Sequence, residues 1–145
     1  MLGRADDLDA VARGWYRVPH RPYVDLLAWE GDDIVGVITG TFGNDFRDNR
    51  AFDSLDLPAG QHAFLTRLYV DKAARGDGIG GRLVRAFAEE AEGHQCTFIA
   101  GELDMSSDPR DRTAFFAAHG FTITDADLFG ATPRAVIAAV EQQRG

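Results

Sequence analysis

The stretch Arg75-Gly76-Asp77-Gly78-Ile79-Gly80-Gly81 constrains this chain more than any other. It stands between an apolar β-type run, residues 63–70, and a helix-type run over residues 79–92. Glycines let the backbone adopt positive φ and come close to a ligand. The first amides of a helix have no intrahelical partner, and the macrodipole favours an anion at that end. Arg75 adds a forked cation suited to phosphate. The stretch reads as a phosphate cradle made by the amides of Gly76, Gly78, Gly80 and Gly81.

Other glycine-rich turns are weighed against the same residues. A P-loop ends in Gly-Lys-Ser/Thr, and Gly80-Gly81-Arg82 stands at that place, so this reading fails. The dinucleotide fingerprint matches by letter as Gly76-x-Gly78-x-x-Gly81, with Glu102 about twenty residues on. Its context is wrong: a hairpin precedes the turn, and too few residues follow for the remaining βαβ units. A ligand-free connection between strand and helix is the plain alternative.

Charge supports the cradle. The chain has a formal net charge of −8, yet Arg67, Lys72, Arg75, Arg82 and Arg85 face only Asp71 and Asp77 within residues 67–85. A positive island in an acidic chain suits an anionic cofactor, and the overall charge argues against nucleic acid as a partner. At 145 residues the chain is expected to form one domain over 1–145. No run is apolar enough to span a membrane and the start is no signal peptide, so a cytoplasmic protein is expected. The single cysteine, Cys96, excludes an internal disulfide and reads as a small core residue. No metal cluster and no Ser-His-Asp arrangement is visible.

Along the chain, Leu8, Val11, Ala12 and Trp15 recur at helical spacing, which predicts a helix over residues 5–17 ended by Pro19 and Pro22. Residues 23–30 and 34–42 form a hairpin through Gly31-Asp32-Asp33. Gly36 and Gly40 mark bulges or close backbone approach. Residues 43–61 form a polar loop with Asp45, Asp48, Asp53 and Asp56, able to receive a cationic amine or simply solvated. After the strand at 63–70, Ile79, Leu83, Val84, Phe87 and Ala91 give the next helix its buried ladder, with Gly93 as its C′ residue. Residues 96–102 return as a parallel strand. Asp108-Pro109 starts a helix that reaches His119, and Gly120 stops it. Residues 121–124 form a short strand, and residues 135–140 a last strand or a helix.

Two motifs carry a family resemblance. Leu68-Tyr69-Val70 followed by Arg75-Gly76-Asp77-Gly78-Ile79-Gly80 resembles the Arg/Gln-x-x-Gly-x-Gly/Ala motif of the GNAT N-acetyltransferases. Ala114-Phe115-Phe116-Ala117-Ala118-His119-Gly120-Phe121 is similar to that family's FY-x-x-x-GF signature. The resemblance covers residues 63–122 and, as its hairpin, residues 23–42. It implies an α/β (α+β) fold: a mixed, mostly antiparallel sheet with one parallel strand–helix–strand crossover and helices on both faces. The family opens with a strand and then two helices, and residues 1–4 make a poor first strand.

The resemblance implies acetyl transfer from acetyl-CoA to a primary amine by direct attack. It assigns cofactor contacts to Leu68, Tyr69, Val70, Arg75, Gly76, Asp77, Gly78, Ile79, Gly80 and Gly81. Pantetheine is expected between residues 68–70 and 96–102, with a backbone amide near Tyr69 or Val70 on the thioester carbonyl. The family's general-acid Tyr falls at Phe116, which has no hydroxyl, and Arg67 occupies the place of a strand carboxylate. Tyr69 and Glu102 are the catalytic candidates that remain, with Asp104 nearby. His119 serves its helix C-terminus. The expected partners are a small-molecule or peptide amine acceptor, with a homodimer left open and neither nucleic acid nor membrane. The rival reading is a non-catalytic acyl-CoA-binding or regulatory domain, favoured by Phe116.

Overall fold

A computed structural model describes residues 12–18, 21–71, 78–103, 109–124 and 127–144. Among the described residues the strands are β1 (Ala12–Val18), β2 (Arg21–Glu30), β3 (Asp33–Asn44), β4 (Gln61–Val70), β5 (Cys96–Glu102), β6 (Thr122–Ile123) and β7 (Leu128–Ala131). The helices are α1 (Ile79–Gly93), α2 (Pro109–Ala118) and α3 (Pro133–Arg144). One sheet holds all the strands in the order β1-β2-β3-β4-β5-β7-β6. Every pairing is antiparallel except β4 with β5, the two strands that α1 connects. This is the mixed α/β sheet expected, with its parallel crossover, but the helices expected on both faces all lie on one among the described residues, because their apolar sides are buried together in one core.

The first expectation to fail is the N-terminal helix. Residues 12–18 form β1, whose Trp15 lies opposite Val24 and Tyr16 opposite Tyr23. Helical spacing at Leu8, Val11, Ala12 and Trp15 competed with a run of strand formers, Trp15-Tyr16-Arg17-Val18, and pairing with β2 decides in their favour. Residues 1–11 lie outside the described residues. The C-terminal end also differs: β7 occupies residues 128–131, and the residues expected as strand or helix at 135–140 belong to α3. Four residues, Leu-Phe-Gly-Ala, give too short an alternation to be read before the pairing Ala100↔Gly130 is known. At the end of α1, Gly93 is still helical, and Gln95 takes the left-handed conformation at φ 64° instead. The His94 ring stacks on Phe42 at 4.5 Å as the helix ends.

α1, α2 and α3 share one core on one face of the sheet. Val24, Leu26, Ile38, Phe42, Leu83, Phe87, Phe129 and Val136 are all 0% exposed there. The two β3 glycines explain how α1 comes so close. A Cβ on Gly40 would lie 2.4 Å from the Phe87 ring, and one on Gly36 would lie 2.9 Å from Leu83. Close approach is therefore their role, and β3 also shifts register beside Gly40.

The opposite face receives the polar segment between β3 and β4, whose helical content among the described residues is the 3-10 turn Arg50–Phe52. It is no free loop. Phe52 and Leu55 are buried with Phe98, Ala100 and Leu128, and Phe46 stacks on Phe52 at 4.2 Å. His62, fully buried on β4, ties the segment down. Its Nδ1 accepts from the Phe46 amide at 3.0 Å, while its Nε2–H donates to the Pro58 carbonyl at 2.8 Å. One neutral tautomer satisfies both bonds.

Candidate functional site

The site begins where β4 and β5 part. Their parallel ladder runs from Gln61↔Cys96 to Leu65↔Gly101 and stops there. Beyond it β4 continues against β3 alone, through Arg67↔Thr39, Leu68↔Ile38, Tyr69↔Val37 and Val70↔Gly36. The register passes from Leu65↔Gly40 to Arg67↔Thr39, so Thr66 is an extra residue on β4. A bulge bends its strand and ends regular pairing. Here it falls where the β4–β5 ladder ends, and the space beside their unpaired C-terminal ends is the wedge. Open α/β sheets bind ligands at that end of the strands.

The N-terminus of α1 follows the end of β4. Gly78 is its N-cap, with φ 80° and ψ 11°, and no side chain caps this end. The first helical bond runs from the Arg82 amide to the Gly78 carbonyl at 3.1 Å. A Cβ on Gly78 would meet no atom within 4 Å. Its glycine is thus required by backbone conformation, and the space beside it is open. Gly80 and Gly81 differ. A Cβ on Gly80 would lie 3.0 Å from the Phe115 ring, and one on Gly81 would lie 2.8 Å from His119 Nε2. Their side-chain positions are filled by α2, so these two glycines seat a neighbouring helix as well as supplying amides. Arg75, Gly76 and Asp77, expected beside them, lie outside the described residues, as do Lys72 and Asp104.

The residues expected along the wedge take distinct places. Leu68 and Val70 pack against the helix-covered core. Tyr69 points to the other face and is 48% exposed. The Asp71 amide donates to Val35 of β3 at 2.7 Å. Alternation along the strand therefore directs the Val70 amide away from β3, toward the wedge. Glu102 is exposed on β5, one residue past the last rung with β4. Tyr69 and Glu102 thus flank the wedge from different strands, and no hydrogen bond joins them among the described residues.

Phe116 is 4% exposed and stacks on Phe129 at 4.0 Å. The Phe129 ring covers Gly101, the β5 residue of the last rung, since a Cβ there would lie 2.2 Å from it. Phe116 therefore belongs to an aromatic layer behind the wedge. The remaining candidates settle into structural roles. Arg85 pairs with Glu141 at 3.0 Å and Glu89 at 3.8 Å on the helix surface. Asp45 is gripped by Arg47 at 2.7 Å, which holds its carboxyl well below the usual range, so one of the four loop aspartates is already neutralised. Burial pushes the Cys96 thiol up, which suits a core residue and not a nucleophile. Sequence reading gave His119 only its helix terminus; its contact with Gly81 had no sequence signal, because it depends on how α2 approaches α1. Among the described residues no group of His, Cys, Asp or Glu is placed to hold a metal, and no helix is long and apolar enough to cross a membrane.

A model of the Acetyltransferase (GNAT) family matches residues 3–121, and the chain belongs to that family. No curated protein matches it. Among solved structures it is similar to Naa20 of Chaetomium thermophilum in complex with a bisubstrate analogue, at 15% identity over 79% of this chain and 68% of that one, with a TM-score of 0.59. It is similar to the PaiA N-acetyltransferase of Thermoplasma acidophilum in complex with coenzyme A, at 16% identity, 76% and 60% coverage, and a TM-score of 0.56. It is also similar to the KacTA–DNA complex, at 17% identity, 88% and 75% coverage, and a TM-score of 0.58. These likenesses establish the fold, and acetyl-CoA is the co-substrate that goes with it.

The last of these overturns one expectation. Nucleic acid was excluded on the net charge of −8, yet a protein of this fold stands in a complex with DNA. Net charge averages over the whole surface, whereas contact is made by a local patch or through a companion chain. The exclusion does not stand.

Proposed function

We propose that this chain is an N-acetyltransferase that moves the acetyl group of acetyl-CoA to a primary amine by direct attack. One observation carries the reading: the β4–β5 ladder ends at Leu65↔Gly101, and α1 begins beyond β4 with an uncapped N-terminus whose Gly78 opens onto empty space. The turn from Arg75 to Gly81 holds the pyrophosphate on backbone amides, since anions are favoured at a helix N-terminus. Leu68, Tyr69 and Val70 line the pantetheine arm, and a backbone amide of this end of β4 addresses the thioester carbonyl.

In the transfer, the amine nitrogen bonds to the acetyl carbon and the carbon–sulfur bond breaks. The nitrogen loses a proton and the sulfur gains one. Glu102 receives the amine proton, directly or through water. Tyr69 or water returns one to the sulfur. A free thiol has a reference pKa near about 8.5, so thiolate departs tolerably at neutral pH without the missing Tyr hydroxyl. Incubating the protein with acetyl-CoA and a panel of primary amines, read by free-thiol release, tests this.

One observation favours a second reading, a domain that binds acyl-CoA without turning it over. Phe116 brings no hydroxyl and is buried against Phe129. Tight CoA binding with no thiol release from any amine would select it.

A further inference from the structure

We propose that His119, acting with Phe115, is a positioning residue for acetyl-CoA, because the two rings fix the first turn of α1 whose amides hold the pyrophosphate; the inference rests on the reading above. His119 follows the last residue of α2 and is 9% exposed. Its Nδ1 lies 2.7 Å from the Phe115 carbonyl. A carbonyl only accepts, so Nδ1 carries the hydrogen, and Nε2 of the neutral ring is an acceptor. The ring also stacks on Phe115 at 4.2 Å. That bond and that stack set the direction of Nε2.

Nε2 points at the start of α1. It lies 2.8 Å from the position a Cβ on Gly81 would take, and the Phe115 ring lies 3.0 Å from the corresponding position on Gly80. Two successive residues of the first turn are therefore seated directly on the two rings. An acceptor nitrogen facing the positive end of a helix is electrostatically favourable. A leucine would fill the volume, but would offer neither this acceptor nor the bond to Phe115.

α3 backs the end of α2 at this contact. Behind it, Gly120 has φ 92°, and a Cβ there would lie 2.7 Å from the Ala135 carbonyl of α3. Gln143 of α3 donates to the Ala118 carbonyl at the end of α2. α3 is tied in turn to α1, through Arg134 to both oxygens of Glu92 at 2.8 and 2.9 Å and through Arg85 to Glu141 at 3.0 Å. α3 thus links α1 to the end of α2, and the first turn of α1 rests on His119 and Phe115. Donors set in advance bind better than donors that must be ordered by the ligand.

The test separates positioning from plain packing by choice of donor. Acetyl-CoA and acetyl-pantetheine present the same thioester, and only the first carries a pyrophosphate. His119→Leu is expected to raise the KM for acetyl-CoA about tenfold or more, a misplacement effect, while kcat/KM for acetyl-pantetheine stays within about twofold. Gly81→Ala should likewise raise the KM for acetyl-CoA by pushing against Nε2, and combining it with His119→Ala should add little, as for residues in contact. His119→Gln keeps a donor for the Phe115 carbonyl and serves if the leucine variant fails to fold; a smaller rise in KM is expected of it. Equal losses on both donors, or unchanged KM for acetyl-CoA in folded variants, overturn the inference alone. A wild-type protein without affinity for CoA overturns the underlying reading and the inference with it.

Discussion

Replacing Gly78 by valine tests the cradle at its most exposed point. The residue has φ 80°, where an L side chain costs about 1–2 kcal/mol and a β-branched one somewhat more. No atom lies within 4 Å of the new Cβ, so no clash is added. Against a usual stability of about 5–15 kcal/mol, the variant remains folded. Binding is affected differently. The side chain enters the open space in front of the first α1 amides, and valine pulls the turn toward negative φ, re-aiming them. Losing one charge-assisted hydrogen bond costs about 1.5–3 kcal/mol, which is about 10- to 150-fold in affinity. Calorimetric titration with CoA reads that loss, with urea unfolding on the same sample reporting the fold. A folded Gly78→Val protein with wild-type affinity for CoA would refute the assignment of this turn to the pyrophosphate.

Four further outcomes are expected. His62→Leu leaves the Phe46 amide and the Pro58 carbonyl unpaired, and urea unfolding should show a loss of about 2–4 kcal/mol; an unchanged midpoint would mean water replaces both bonds. Asp48, Asp53 and Asp56 are exposed while Asp45 is held by Arg47, so Asn at the first three should raise KM for a cationic acceptor and leave a neutral one alone, and equal effects on both would show a merely solvated segment. Phe116→Tyr places a hydroxyl in the aromatic layer behind the last β4–β5 rung and should keep or raise kcat; a clear fall in a stable variant counts against that placement. Arg134 holds the Glu92 carboxyl below its ordinary 4.5, so the pair stabilises above that pH and fades as pH falls through the lower folded value. Urea midpoints should then separate wild type from Glu92→Gln slightly at pH about 7 and not at pH about 2, the pair being exposed and weak.

How much of this was legible in the sequence follows from the range of the interactions involved. The span of α1 and β5 could be read directly, because a buried ladder and a β-type run between turn residues are local signals. The hairpin was legible from Gly31, whose φ of 64° suits its turn. β1 was misread because its helical spacing is also local, whereas its pairing with β2 is not. β7 was missed for the same reason, since four residues acquire strand character only beside β5. The polar segment after β3 was recognised as unusual, but its anchoring by His62 needs two contacts that no spacing reveals. At the site, the glycine turn stood out, while the division of labour within it did not. Gly78 faces open space, and Gly80 and Gly81 face a helix that begins some thirty residues later. The bulge at Thr66, beside the last β4–β5 rung, left no mark in the residue types.

The central claim is that an amine takes the acetyl group of acetyl-CoA at this wedge. Free-thiol release by the wild-type protein at saturating acetyl-CoA, across a panel of primary amines and against an amine-free control, tests it most directly. The account predicts release above the control with at least one amine, with the acetylated amine formed in equal amount. Tight CoA binding without release from any amine, in wild type and Phe116→Tyr alike, would contradict it.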